Sequence, residues 1–227
     1  MTETASSEAR RRPEGSLRAA DVARAFAGVQ ALQGVTLELH RHEVLGLIGP
    51  NGAGKTTLIN VITGFDRPTS GSVVLDGHDV SAWTAARRAR AGLARTFQHG
   101  HLFAGLSVRE NVEVAALGVG AGRREARRRA DELLPALDLD HRSDASASVL
   151  SHGEEQLLGV ARALATGPRY VLMDEPAAGV SESEIPALAA LVRRVRDEFA
   201  AAVPVARLAP WSSTWMRSQT SMISAML

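Results

Sequence analysis

The 227-residue chain carries 26 Lys and Arg against 25 Asp and Glu, a formal net charge of +1, so no strongly basic field argues for nucleic acid as a partner. It has no Cys, which excludes disulfides and thiolate metal sites and fits a reducing compartment. No apolar run approaches the ~20 residues of a membrane span and the N-terminus lacks an apolar signal core, so any membrane role is expected to come through a partner. The length suits one large domain, or one domain with subdomains.

Residues 1–16 are polar, contain Pro13 and Gly15, and read as a disordered lead-in in which Arg10-Arg11-Arg12 is a solvated run. Leu17 to Val44 looks like two or three β segments around a turn. Val44-Leu45-Gly46-Leu47-Ile48 reads as a short buried strand, and Thr57-Leu58-Ile59-Asn60-Val61-Ile62 as the opening of a helix. Between them lies Gly49-Pro50-Asn51-Gly52-Ala53-Gly54-Lys55-Thr56, with four residues between Gly49 and Gly54 and a Lys and a hydroxyl following. In a strand–loop–helix context this is the pattern of a phosphate-binding loop. Glycines let successive N–H groups point into one concavity, and the helix start adds the positive end of its dipole. Lys55 is expected to reach the outer phosphates and the Thr56 hydroxyl to hold Mg²⁺.

Further along, Ser70 to Gly77 predicts a strand that ends in an Asp-Gly hairpin turn. From Trp83 to Leu139 the periodicity is mostly helical. Arg123 to Leu137 is amphipathic, with Leu133, Leu134 and Leu137 on its apolar side and a solvated basic face from Arg123 to Arg129. Leu150-Ser151-His152-Gly153-Glu154-Glu155-Gln156 precedes a helical run through Leu164. Ser151 and Gly153 suit either ordinary helix capping or a second anion site at a helix N-terminus, and spacing does not choose between them. Tyr170 to Met173 reads as a second buried strand. Asp174 and Glu175 follow it, placed as a carboxylate beside the phosphate loop would be: Asp174 for Mg²⁺ and Glu175 to polarise a water. Glu184 to Phe199 is again helical, with Pro186 near its start.

These motifs and their order resemble the ATP-binding subunits of ABC transporters over about Leu17 to Phe199. Gly49 to Thr57 matches the Walker A motif, Val171 to Pro176 the Walker B motif, and Leu150 to Gln156 the ABC signature, with Ser-His-Gly-Glu where Ser-Gly-Gly-Gln is commonest. Arg95-Thr96-Phe97-Gln98 resembles the Q-loop. The resemblance implies an α/β fold: a P-loop NTPase three-layer core, an antiparallel β subdomain and a helical subdomain at about 93–160. It implies ATP and Mg²⁺ as ligands. Gly49, Asn51, Gly52, Ala53, Gly54, Lys55, Thr56 and Thr57 would hold phosphates. Ser151, His152, Gly153 and Glu154 would meet the γ-phosphate of a second subunit across a dimer. Thr56, Gln98 and Asp174 would serve the metal, and Glu175 and Gln98 the lytic water. Phe26 falls where the family stacks an aromatic on adenine; a core aromatic is the other reading of that residue.

The segment from Arg95 to Gln98, His101 to Val112, and Asp174 to Val180 resemble importers of branched-chain amino acids. The Ser-His-Gly signature also resembles the urea-import members. The implied partners are a second ATP-binding subunit, identical or paralogous, two membrane permeases and, indirectly, a substrate-binding protein; no nucleic acid is expected. The implied location is the cytoplasmic side of the membrane. A soluble ABC protein of DNA repair or translation fits less well: there is room for one nucleotide domain, and the interval from Lys55 to Ser151 is too short for a long coiled-coil insertion. A catalytically impaired nucleotide-binding remnant is the remaining alternative.

The pattern departs from the family after Phe199. Residues 200–227 contain no acidic residue, two of the three Trp and three of the five Met, and no His follows His152, where the family has a switch His. Ser181 stands where the family's D-loop commonly has Asp. Residues 200–227 read as an aberrant tail that does not match the family, by hypothesis a frameshift product, with a natural short form as the alternative; the coding DNA tests the two. The last sheet strands and closing helices are expected to be missing, leaving a sheet edge unpaired or patched by the tail, with weak turnover and a tendency to aggregate.

Overall fold

The computed structural model describes residues 15–96, 102–174, 185–198 and 203–207. Strands β1 (Ser16–Phe26) and β2 (Val29–His40) form an antiparallel hairpin. Strand β3 (Val44–Ile48) follows and runs into helix α1 (Lys55–Thr63). Strands β4 (Ser70–Leu75) and β5 (His78–Asp79) make a second hairpin on the far side of β1, giving the order β2-β1-β4-β5. Its turn is Asp76-Gly77, with φ of 47° and 82°, the doubly positive geometry that matches strand twist and that the Asp-Gly pair predicts. Leu17, Ala19 and Val22 of β1, Leu37 and Leu39 of β2, and Val73 and Leu75 of β4 are buried on one face, a period-two alternation that a register shift between Ala19 and Val22 offsets by one residue.

The chain then enters helix α2 (Ala85–Arg90) and strand β6 (Leu93–Thr96). Helices α3 (Val108–Gly118), α4 (Arg123–Ala136) and α5 (His152–Ala165) pack together as a helical unit. Strand β7 (Tyr170–Asp174), helix α6 (Ile185–Glu198) and strand β8 (Val203–Arg207) complete the described elements. Strands β3, β6, β7 and β8 form a parallel sheet in the order β3-β8-β7-β6.

Strand β7 shows why this sheet is central. Tyr170 and Leu172 enter one hydrophobic core with Leu17, Leu39, Leu45, Leu47, Leu58 and Ile62. Val171 and Met173 enter the other, with Leu133, Leu158, Ala161, Val192 and Val195. A strand buried on both faces reads as a continuous apolar run rather than an alternating one. The antiparallel sheet and α1 thus share one side of the parallel sheet, and the helical unit and α6 the other: the α/β layering that the motifs imply.

Two expectations are corrected. The helical reading of Trp83 to Leu139 is interrupted by β6, which pairs in parallel with β7 from Leu93 opposite Tyr170 to Thr96 opposite Met173. The helical unit therefore starts after β6 rather than at residue 93, and α5 carries it to Ala165. The domain also extends beyond residue 199. Strand β8, inside the stretch 200–227 that departs compositionally, lies between β3 and β7, with Val205 opposite both Gly46 and Met173. Among the described residues the edges of the parallel sheet are β3 and β6. Pro204 hides β8 in the sequence, because a residue without an N–H argues against a central strand.

Candidate nucleotide-binding site

The loop from Gly49 to Gly54 joins β3 to α1. Gly54 is the N-cap of α1 at φ 81° and ψ 7°, with no side chain capping the helix and no acidic residue in its first turn. A Cβ at Gly54 would lie 2.5 Å from the Ala31 carbonyl oxygen and 2.9 Å from Leu32 Cδ2, so both backbone sign and space demand glycine. The N-terminus of α1 therefore has no side-chain cap, which suits a phosphate. Lys55 is buried, and its Nζ donates to the carbonyl oxygens of Gly49 at 2.8 Å and Pro50 at 2.7 Å. The ammonium thus folds over the loop and holds it curled. Asn51, Gly52 and Thr56 are exposed, while Gly49, Ala53, Gly54 and Thr57 are half-buried.

Asp174 ends β7 with 4% of its surface exposed. Its Oδ2 accepts from Arg95 Nη2 at 2.7 Å in an ion pair with 9% of the Arg95 side chain exposed. Asp174 Oδ1 is buried and has no hydrogen-bond partner among the described residues. An orphaned carboxylate oxygen is costly in a protein interior, and a hard, hydrated cation is the ligand that such an oxygen fits. Arg95 also donates from Nη1 to Asn60 Oδ1 at 2.6 Å. Asn60 Nδ2 donates to Asp66 Oδ2 at 3.3 Å, and Asp66 Oδ1 pairs with Arg24 Nη2 at 3.5 Å. The Arg24 guanidinium lies 4.3 Å from the centre of the Phe26 ring. Phe26 is 40% exposed, so the core reading of that residue is set aside and an accessible aromatic face, already stacked on a cation, takes its place.

The signature segment sits at the start of α5. Ser151 is the N-cap and forms a reciprocal capping box with Glu154: Ser151 Oγ accepts from Glu154 N at 3.4 Å, and Glu154 Oε2 accepts from Ser151 N at 2.8 Å. Glu154 Oε1 also accepts from Arg142 Nε at 2.8 Å. The Ser151 N–H, then the Arg142 guanidinium, draw the Glu154 carboxyl down to about 2. Ser151, His152 and Gly153 are exposed, and His152 Nε2 lies 3.1 Å from Gln156 Nε2. A Cβ at Gly153 would meet nothing within 4 Å. No hydrogen bond ties Ser151 to Glu154 to the phosphate loop among the described residues. The surface around Gly153 is open to an approaching partner.

Gln98, Glu175 and Ser181 lie outside the described residues. The structure thus joins Asn60, Arg95 and Asp174, on the helix that opens with Lys55 and on strands β6 and β7, and leaves the signature as a separate exposed element. Arg95 was legible only as the first residue of the Q-loop resemblance, and Asn60 only as one residue of a helix. Their joint role depends on parallel pairing of β6 with β7, which the helical reading of that stretch obscured.

A family model described as ABC transporter matches residues 32–178. A probable ABC transporter ATP-binding protein of Azorhizobium caulinodans is 38% identical over 182 residues, covering 80% of this chain and 65% of its own length. The high-affinity branched-chain amino acid transport ATP-binding protein BraF of Pseudomonas aeruginosa is 36% identical over 188 residues, covering 76% of this chain and 74% of its own. The chain therefore spans about two thirds to three quarters of the length of these relatives. Among solved structures, the ADP conformation of MJ1267, an ATP-binding cassette of an ABC transporter, superposes with a TM-score of 0.76 at 28% identity, covering 87% of this chain and 82% of that one. A dimeric post-hydrolysis state of the ATP-binding cassette MJ0796 bound to ADP and Pi gives 0.74 at 26% identity, covering 84% and 87%.

Proposed function

The chain belongs to the ABC transporter family, and from that premise we propose that it is an ATP-binding and ATP-hydrolysing subunit that drives import of branched-chain amino acids through two membrane permeases. The observation that carries this reading is the pairing of an uncapped, glycine-shaped loop around Lys55 with a buried carboxylate, Asp174, whose second oxygen has no partner among the described residues. The N–H groups at the start of α1 cradle the phosphates, and Lys55 exchanges the Gly49 and Pro50 carbonyls for phosphate oxygens. Phe26 offers a stacking face to adenine. Thr56, Gln98 and Asp174 would hold Mg²⁺, which neutralises charge on the transferring phosphoryl group. Glu175 polarises the attacking water.

A second subunit, identical or paralogous, places its own Ser151 and Gly153 on the γ-phosphate. The exposed start of α5 and the dimeric state of the related cassette MJ0796 support this arrangement. No helix among the described residues is long and apolar enough to cross a membrane, and attachment to the cytoplasmic side of the membrane through permeases is part of the proposal. The cargo follows the named role of BraF; a urea importer is the alternative that the Ser151-His152-Gly153 signature favours. The test is ATP hydrolysis by the purified chain. Turnover that Glu175→Gln abolishes, with ATP binding kept, supports the proposal; turnover unchanged by Glu175→Gln sinks the assignment of the base.

One observation favours a second reading, a subunit that binds ATP without turning it over: residues 200–227 depart in composition from what precedes them, with no acidic residue and two of the three Trp. ATP binding that is lost in Lys55→Ala, with no hydrolysis in the wild-type chain, would establish it.

A further inference from the structure

We propose that Arg95 is a positioning residue for the metal end of the nucleotide site: braced by Asn60, it grips Asp174 by one oxygen and keeps the other turned out for a hydrated Mg²⁺. This inference rests on the nucleotide-binding reading above. Its ground is the way Arg95 divides its contacts. An arginine facing a carboxylate commonly engages both oxygens with two parallel bonds. Here Nη2 donates to Asp174 Oδ2 at 2.7 Å, while Nη1 donates to Asn60 Oδ1 at 2.6 Å. Asp174 Oδ1 is left buried and unbonded among the described residues.

The arrangement is held from several sides. Arg95 and Asp174 lie on paired strands, Arg95 opposite Leu172 and Thr96 opposite Met173. Asn60 lies on α1, the helix that opens with Lys55 and Thr56. Its amide is oriented by opposite charges, the oxygen towards Arg95 and the nitrogen 3.3 Å from Asp66 Oδ2. The Arg95 guanidinium also lies 5.6 Å from the centre of the Phe65 ring. One side chain therefore joins the helix that receives phosphate to the strand that carries the metal carboxylate. Residues that orient a metal-binding group from behind typically change metal affinity by about 10- to 100-fold when removed.

The test uses the full chain and a fluorescent ATP analogue, titrated in EDTA and then against Mg²⁺, for the wild type, Arg95→Met, Arg95→Lys and Asn60→Ala. We expect metal-free nucleotide binding to stay within about twofold in all variants. The Mg²⁺ concentration for half-maximal enhancement is expected to rise about tenfold in Arg95→Met, to rise less in Asn60→Ala, and to return most of the way in Arg95→Lys. A folded Arg95→Met with an unchanged Mg²⁺ requirement overturns the proposal. So does a lower requirement, which would make Arg95 a cation that competes with the metal. If Arg95→Met does not fold, Asn60→Ala and Arg95→Lys decide, and wild-type Mg²⁺ dependence in Asn60→Ala again overturns it. A wild-type chain that binds no nucleotide in EDTA or in Mg²⁺ overturns the functional reading itself, and this role with it.

Discussion

Arg88 is fully buried, and among the described residues its guanidinium meets no carboxylate in direct contact. Nη1 donates to the Val61 and Ile62 carbonyls, both at 2.6 Å, and Nη2 to the Ser81 carbonyl at 3.0 Å. The first two are carbonyls of the last turn of α1, Val61 O also accepting from Gly64 N at 3.3 Å, and a cation there complements the helix dipole. Burial draws the Arg88 pKa down to about 10, still far enough above neutrality to keep the charge. Arg88→Ala removes these donors together and leaves buried acceptors behind, so we expect about 3 kcal/mol of destabilisation in urea unfolding. Glu154 gives a different, pH-readable prediction. Its folded pKa of about 2 lies below the ordinary 4.5, so its contribution is complete above about pH 4.5 and is lost as pH falls through about 2. An NMR titration of the Glu154 carboxyl should show that low midpoint. Arg142→Ala should raise it only part of the way, because the Ser151 N–H is the larger cause.

At the scale of elements, turns and caps decide how legible the chain is. The Asp76-Gly77 hairpin, the strands at Val44 and Tyr170, and the helix at Arg123 follow from local patterns and appear where those patterns place them. The residue pair Ser107 and Glu110 forms a complete capping box on α3, and Ser107→Ala should cost about 1 kcal/mol in thermal or urea unfolding. Gly71 shows a constraint that a pattern does not reveal. It pairs across a bulge in β1, where Asp21 has φ 49° and the register shifts between Ala20 and Ala23. A Cβ there would lie 2.2 Å from the Asp21 carbonyl oxygen, and Gly71 has φ 80°. Gly71→Ala should therefore lose more than about 1 kcal/mol and disturb the β1–β4 pairing. Strand β6 escaped the sequence reading because its four residues stand between helices α2 and α3. The network around Arg95 escaped because its partners Asn60 and Asp174 lie 35 and 79 residues away in the chain.

At the scale of the whole molecule, the parallel sheet depends on its most concealed strand. Composition sets residues 200–227 apart from what precedes them, yet Val203–Arg207 lies between β3, which feeds the phosphate loop, and β7, which ends at Asp174. Asp174 itself is opposite Ala206, and Ile48 is opposite Arg207. Strand β8 therefore sets the lateral spacing between the two strands that supply the halves of the proposed nucleotide site. Strand β8 already carries Pro204, opposite Leu45; a second proline at position 205, opposite Gly46 and Met173, would leave two successive residues of an interior strand without an N–H. Each backbone acceptor left unpaired there costs about 1–3 kcal/mol, against a total stability of about 5–15 kcal/mol for a domain. We expect Val205→Pro to lose cooperative urea unfolding and nucleotide binding together. Val205→Ile, which keeps the donor and the β-branch, should retain both. Equal stability of the proline and isoleucine variants would mean that β3 and β7 hold their places without β8.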